Sequence, residues 1–138
     1  MASGVRLLIL DEPTNGLDIP SKSQCRKILA GAVSPEQTVL ISTHQVRDLA
    51  NLIDHVIILD QGQVVFQHDL ATIGDRLTFT DIEEAERQQA FYAEETLNGY
   101  RALMPNQGTD TPVDLELLFN AVLHNPQSIQ QQFEKAKL

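Results

Sequence analysis

Two adjacent carboxylates close an apolar run near the start of the chain, Val5-Arg6-Leu7-Leu8-Ile9-Leu10-Asp11-Glu12-Pro13. An almost unbroken apolar run of this kind reads as a strand covered on both faces of a parallel sheet. In open α/β sheets, ligands bind at the carboxyl ends of the strands. A rigid, dry strand could hold Asp11 there to orient Mg²⁺, through the waters that this ion is slow to give up. Glu12 is then a candidate base that orients and deprotonates an attacking water. Successive strand residues point to opposite faces, so neighbours share a site only where the strand ends. Pro13 supplies that end and biases Glu12 toward extended backbone.

The elements that must position these groups read as alternating strands and helices. After the first strand, Cys25, Ile28, Leu29 and Ala32 fall at helical spacing. Asp18 suits the N-cap, Pro20 the first turn, and Gly31 and Pro35 bracket the end. Thr38 to Ile41 gives a second strand, and Val46, Leu49, Ala50 and Ile53 mark a second amphipathic helix. His55 to Leu59 gives a third strand, and Asp60-Gln61-Gly62 turns it into an antiparallel edge strand through Val64-Val65-Phe66. The pattern indicates an α/β layered fold. It changes after about Gly74. Residues 81–95 are acidic and Gln-rich, and their weak periodicity does not separate helix from strand. Asn98-Gly99 reads as a hairpin turn, Pro105 to Pro112 as a loop, and Thr111-Pro112-Val113-Asp114 as a capping box. The helix that follows turns Leu115, Leu118, Phe119, Val122 and Leu123 to one face; a last helix after Asn125-Pro126 turns Ile129, Phe133 and Ala136 inward.

Composition narrows the functional classes. The 138 residues are 42% apolar and 21% charged, within the range of an ordinary globular protein with one core. A net charge of −9 argues against general binding to a nucleic-acid backbone, though not against one nucleotide at a local site. No apolar run approaches bilayer-spanning length, and Met1-Ala2-Ser3-Gly4 is unlike a signal peptide. The lone Cys25 cannot form an internal disulfide, and a reducing compartment is the simpler expectation.

Leu8-Ile9-Leu10-Asp11-Glu12-Pro13-Thr14-Asn15-Gly16-Leu17-Asp18 resembles the Walker B strand and D-loop of ABC transporter ATP-binding subunits. Ile41-Ser42-Thr43-His44 resembles the switch-histidine segment of that family, and Asp54 to Val65 the strand pair that follows it. Val113 to Phe119 is more loosely similar to the closing helix of the exporter type. The resemblance covers residues 1–75 as the C-terminal half of an ATPase domain and leaves 76–138 as an extension with a hairpin and two helices. It implies a partial P-loop NTPase-like three-layer α/β fold with a small α+β extension. It further implies ATP and Mg²⁺ as cofactors, with Asp11 holding Mg²⁺ through water and Glu12 activating the hydrolytic water. His44 would contact the γ-phosphate. Asn15, Gly16, Leu17 and Asp18 would face a second ATP-binding subunit in a head-to-tail dimer. A separate transmembrane permease is the other implied partner, with the subunit cytoplasmic and peripheral to the membrane, neither inserted in it nor bound to nucleic acid.

No Gly-x-x-x-x-Gly-Lys-Ser/Thr loop occurs in the 138 residues, nor does a Leu-Ser-Gly-Gly-Gln signature. The expectation is therefore a truncated subunit with Met1 as an internal start, unable to hydrolyse ATP by itself. Two other readings stand beside it. A soluble, non-transport ABC ATPase would carry basic linkers or a coiled-coil insertion. A non-catalytic interaction or regulatory module would lack turnover in any context. Gly16 reads as a position of special backbone angle, Cys25 as packing, and His55, His68 and His124 as surface residues.

Overall fold

The computed structural model describes residues 5–134. They form two compact units that divide between Ile53 and Asp54. The boundary near residue 75 is a division by resemblance, whereas this one follows compactness.

In the first unit, strands β1 (Leu7–Asp11) and β2 (Thr38–Ser42) pair in parallel, in register from Leu7↔Thr38 to Asp11↔Ser42. Helix α1 (Ile19–Ala32) connects them. Its start follows the sequence: the Asp18 carboxylate accepts from the Ser21 amide at 2.8 Å, with Pro20 in the first turn. Coverage of both faces of β1 is not met. Leu8, Leu10, Val39 and Ile41 are half-buried, but Leu7, Ile9 and Leu40 on the other face stay exposed, Ile9 at 62%. One α-helix covers at most one face of a sheet. The expected helix from Val46 to Ile53 is also corrected, being a single 3₁₀ turn at Val46–Leu49. Gln45, at its N-terminus, makes no side-chain cap because its amide is taken by Lys22 and Asn15.

The second unit holds most of the buried apolar residues. Strands β3 (His55–Asp60) and β4 (Gln63–Asp69) form an antiparallel hairpin. Gln61 (φ 49°) and Gly62 (φ 77°) at the tip both have the positive φ that a two-residue type I′ turn demands. Strand β3 thus has the antiparallel partner that the turn led one to expect, and the pair forms a two-stranded sheet. Helix α2 (Leu70–Arg76), capped by Asp69, leads into β5 (Leu77–Ile82). The ambiguous stretch after it resolves into a 3₁₀ helix at Glu84–Gln89, with a Glu83/Glu86 capping box, and strand β6 (Tyr92–Thr96). With β7 (Gly99–Pro105) these strands form an antiparallel sheet in the order β5-β7-β6.

The hairpin tip lies one residue earlier than expected. Thr96 pairs with Gly99, which leaves Leu97-Asn98 as the loop. Gly99 is required there by contact as well as by its φ of 139°, since a Cβ would sit 2.6 Å from the Ile82 carbonyl oxygen. Helices α3 (Leu115–His124) and α4 (Pro126–Glu134) follow. Asp114, not Thr111, caps α3: its carboxylate accepts from the Leu117 amide, while the Thr111 hydroxyl accepts from the Phe79 amide. Leu115, Leu117, Leu118, Ala121 and Val122 are buried, whereas Phe119 and Leu123 remain partly exposed, which rotates the apolar face from that expected. Ile129 and Phe133 are buried as expected; Ala136 lies outside the described residues. His68 is not a plain surface residue: its ring stacks on Phe133 at 4.0 Å and meets the edge of Phe66 at 4.9 Å.

The two aspartate caps give a pH dependence with a definite sign. Hydrogen bonds from the first turn, those of Ser21 on Asp18 and of Thr72 on Asp69, hold both carboxyls below the usual range. A carboxyl lowered in the folded state stabilises at pH above its unfolded value, and that contribution is lost as the pH falls through the folded one. Asn caps a helix about as well as Asp but does not titrate there. The Asp69→Asn variant should therefore match the parent in urea midpoint at neutral pH and lose less stability below the carboxylate range, as read by far-UV circular dichroism. Equal acid sensitivity would count against this.

Candidate functional site

At the carboxyl end of the parallel pair, the chain places together the groups its sequence singles out. Asp11 is the last residue of β1 and lies opposite Ser42, the last of β2. The Ser42 hydroxyl donates to Asp11 Oδ1 at 2.7 Å. The ladder continues one step further, with the Glu12 amide donating to the Ser42 carbonyl at 2.7 Å.

Glu12 is not extended, as Pro13 led one to expect. Its φ is 46°, in the left-handed region that non-glycine residues rarely occupy. The chain thus turns at once, with the Asn15 amide closing on the Glu12 carbonyl at 3.1 Å. This reversal lets two consecutive acids serve one rim of a sheet. Glu12 Oε1 accepts from the His44 backbone amide at 3.0 Å and lies 2.6 Å from His44 Nδ1; Oε2 accepts from the Thr43 hydroxyl at 3.0 Å. The His44 side-chain bond is the main cause holding the Glu12 carboxyl below its ordinary range, with Thr43 and the His44 amide adding to it. Burial works the other way. The His44 side chain is 72% exposed, so the imidazole engages Glu12 through Nδ1 while much of the ring remains open to a ligand.

A further layer ties the loop after Glu12 to the segment after Thr43. The Gln45 amide donates to the Thr43 hydroxyl at 2.9 Å, and its side chain accepts from Lys22 Nζ at 3.0 Å and reaches Asn15 Oδ1 at 3.5 Å. Asn15, Gly16, Leu17 and Asp18 are all exposed, and Gly16 has the expected positive φ, 78°. Thr14, immediately before these exposed residues, is fully buried and is one residue that sequence reasoning passed over. Ser42 and Thr43 are the others. A hydroxyl pair just before the imidazole was the signal that could have found them.

Mg²⁺ commonly keeps several waters and takes only one or two carboxylates beside substrate phosphates. A single exposed carboxylate such as Asp11 fits that habit. Among the described residues no group of three or more His, Cys, Asp or Glu forms an all-protein metal cage.

No family model matches the chain. Individual relatives do. The chain is 38% identical over 66 residues to the energy-coupling factor transporter ATP-binding protein EcfA2 of Ligilactobacillus salivarius, a stretch covering 47% of this chain and 23% of that protein. It is 43% identical over 61 residues to the glutathione/L-cysteine transport system ATP-binding/permease protein CydC of Escherichia coli, covering 44% and 10%. With the uncharacterized ABC transporter ATP-binding protein YdbJ of Bacillus subtilis it shares 37% over 98 residues, covering 70% and 32%. The chain thus carries a segment related to the ATP-binding proteins of ABC transporters. It spans only between a tenth and a third of the length of these relatives. Among the described residues no helix is long and apolar enough to cross a membrane.

Proposed function

We propose that this segment supplies the hydrolytic half of an ATP site that powers transport through a separate permease. The observation that carries the reading is the 2.6 Å contact between Glu12 and His44 at the tips of adjacent parallel strands, with Asp11 one residue away. Bound Mg²⁺ would neutralise phosphate charge, and Asp11 would hold it through water. Glu12 would orient the attacking water and take its proton. His44 would hold Glu12 through Nδ1 and offer the rest of its ring to the γ-phosphate. Phosphoryl transfer asks little of the protein beyond such positioning and charge stabilisation.

Asn15, Gly16, Leu17 and Asp18 form the exposed loop that would meet a second ATP-binding subunit head to tail. Asp18 keeps its capping bond in that arrangement. Residues through about 75 serve as the ATPase portion and the rest as an exporter-type extension, on the cytoplasmic side of the membrane. The 138 residues hold no phosphate-cradling glycine loop, so by themselves they would not turn over ATP.

The test is a chimera in which this chain replaces the aligned stretch of the Bacillus subtilis relative. Removing one preorganised electrostatic group costs about a hundredfold or more in turnover. The His44→Ala chimera should lose about that much kcat while keeping its affinity for ATP. Unchanged turnover would refute the role given to the imidazole.

A further inference from the structure

We infer that Ser42 and Thr43 are a pair of positioning residues, each aligning one of the two carboxylates. The inference rests on the hydrolytic reading above and adds to it the means by which the acids are aimed. Three consecutive residues at the end of β2 address two consecutive residues at the end of β1. Ser42 Oγ takes Asp11 Oδ1 at 2.7 Å, Thr43 Oγ1 takes Glu12 Oε2 at 3.0 Å, and His44 takes Glu12 Oε1. Both hydroxyl contacts fall within the hydrogen-bond range for O–H···O, and that of Ser42 is as short as a charge-assisted bond.

The division of labour follows from geometry. Residues 11 and 42 are register partners, so Ser42 reaches Asp11 straight across the ladder. Glu12 lies past the end of the pairing, on reversed backbone, and no register fixes its side chain. Left with His44 alone, its carboxylate would be held at one oxygen and free to swing about that point. Thr43 supplies the second point and fixes the carboxylate plane. The Thr43 hydroxyl is itself oriented, because it accepts from the Gln45 amide at 2.9 Å and so must turn its proton toward Glu12. Neither hydroxyl need touch nucleotide. Each acts through its acid, as outer partners act on metal ligands, and loss of such a partner typically costs about 10- to 100-fold in metal affinity or activity.

The decisive experiment uses the full 138-residue chain, isotope-labelled, and reads the side-chain rotamers of Asp11 and Glu12 from three-bond couplings. In the parent each acid should hold one dominant rotamer. Ser42→Ala should set Asp11 averaging and leave Glu12 fixed; Thr43→Val should do the reverse; Thr43→Ser should restore Glu12. Should Thr43→Val fail to fold, Thr43→Ala against Thr43→Ser gives the same comparison. Averaged rotamers in the parent, or both acids loosened alike by either variant, would overturn the proposal.

The chimera gives the kinetic counterpart. Ser42→Ala should raise the Mg²⁺ requirement about 10- to 100-fold with little change in kcat at saturating Mg²⁺, and Thr43→Val should lower kcat by a similar factor at unchanged Mg²⁺ requirement. Because the rotamer measurement needs no nucleotide, the two failures separate. Selective rotamer loss without kinetic effect upholds the alignment and counts against the hydrolytic reading, whereas kinetic loss with rotamers intact overturns the alignment.

Discussion

Replacing Glu12 by Gln should lower the turnover of the chimeric ATPase by about 10²- to 10⁴-fold, the range expected when a positioned general base is lost. The substitution preserves shape. Its carbonyl oxygen can still accept from the Thr43 hydroxyl or the His44 amide, so the local arrangement should survive. What is lost is a group able to take a proton. ATP affinity should therefore stay within about twofold while kcat falls, the signature of an interaction made in the transition state alone. Equilibrium binding of a fluorescent ATP analogue, measured beside steady-state phosphate release, separates these quantities. Turnover that survives the change intact would remove Glu12 from the chemistry, and with it the main claim for this rim of the sheet.

Leu118→Ala should cost the second unit about 2–5 kcal/mol, the usual range for truncating a leucine in a packed core. Leu118 is 0% exposed, on the buried face of α3 with Leu115, Ala121 and Val122. Small domains have only about 5–15 kcal/mol in total, so the variant should approach the unfolding threshold at ambient temperature. The neighbouring Phe119 is 39% exposed and marks the edge of that face. Phe119→Ala should cost clearly less, although it removes the larger side chain. The chain has no Trp, so urea unfolding is best followed by far-UV circular dichroism. Equal losses at positions 118 and 119 would mean that the helix is rotated from the face described.

What the sequence discloses about this protein depends on how local the cause is. The strand Leu7–Asp11, the Asp18 cap and the turn at Gln61-Gly62 each follow from residue types acting within a few positions, and each is found where expected. Apolar periodicity identified β3 as a strand, and the turn after it named its antiparallel partner β4. The helix expected after His44 is one 3₁₀ turn, at whose start Gln45 turns its side chain to Lys22 and Asn15, far away in sequence. Thr111 offered a plausible cap but was drawn to the Phe79 amide across the fold. At the site, residue types and order pointed to Asp11, Glu12 and His44. The two hydroxyls between the strands were passed over, since serine and threonine are common at strand ends and only spacing across the ladder reveals what they face.

The left-handed backbone at Glu12 has a consequence for how this position would fare under different selections. Glycine and asparagine enter that region with little penalty, whereas glutamate enters it reluctantly. A library screened purely for foldability should drift away from glutamate at residue 12, while one screened for ATP-driven growth should hold it. The divergence between the two pools would register, at one codon, the tension between a relaxed main chain and a working site.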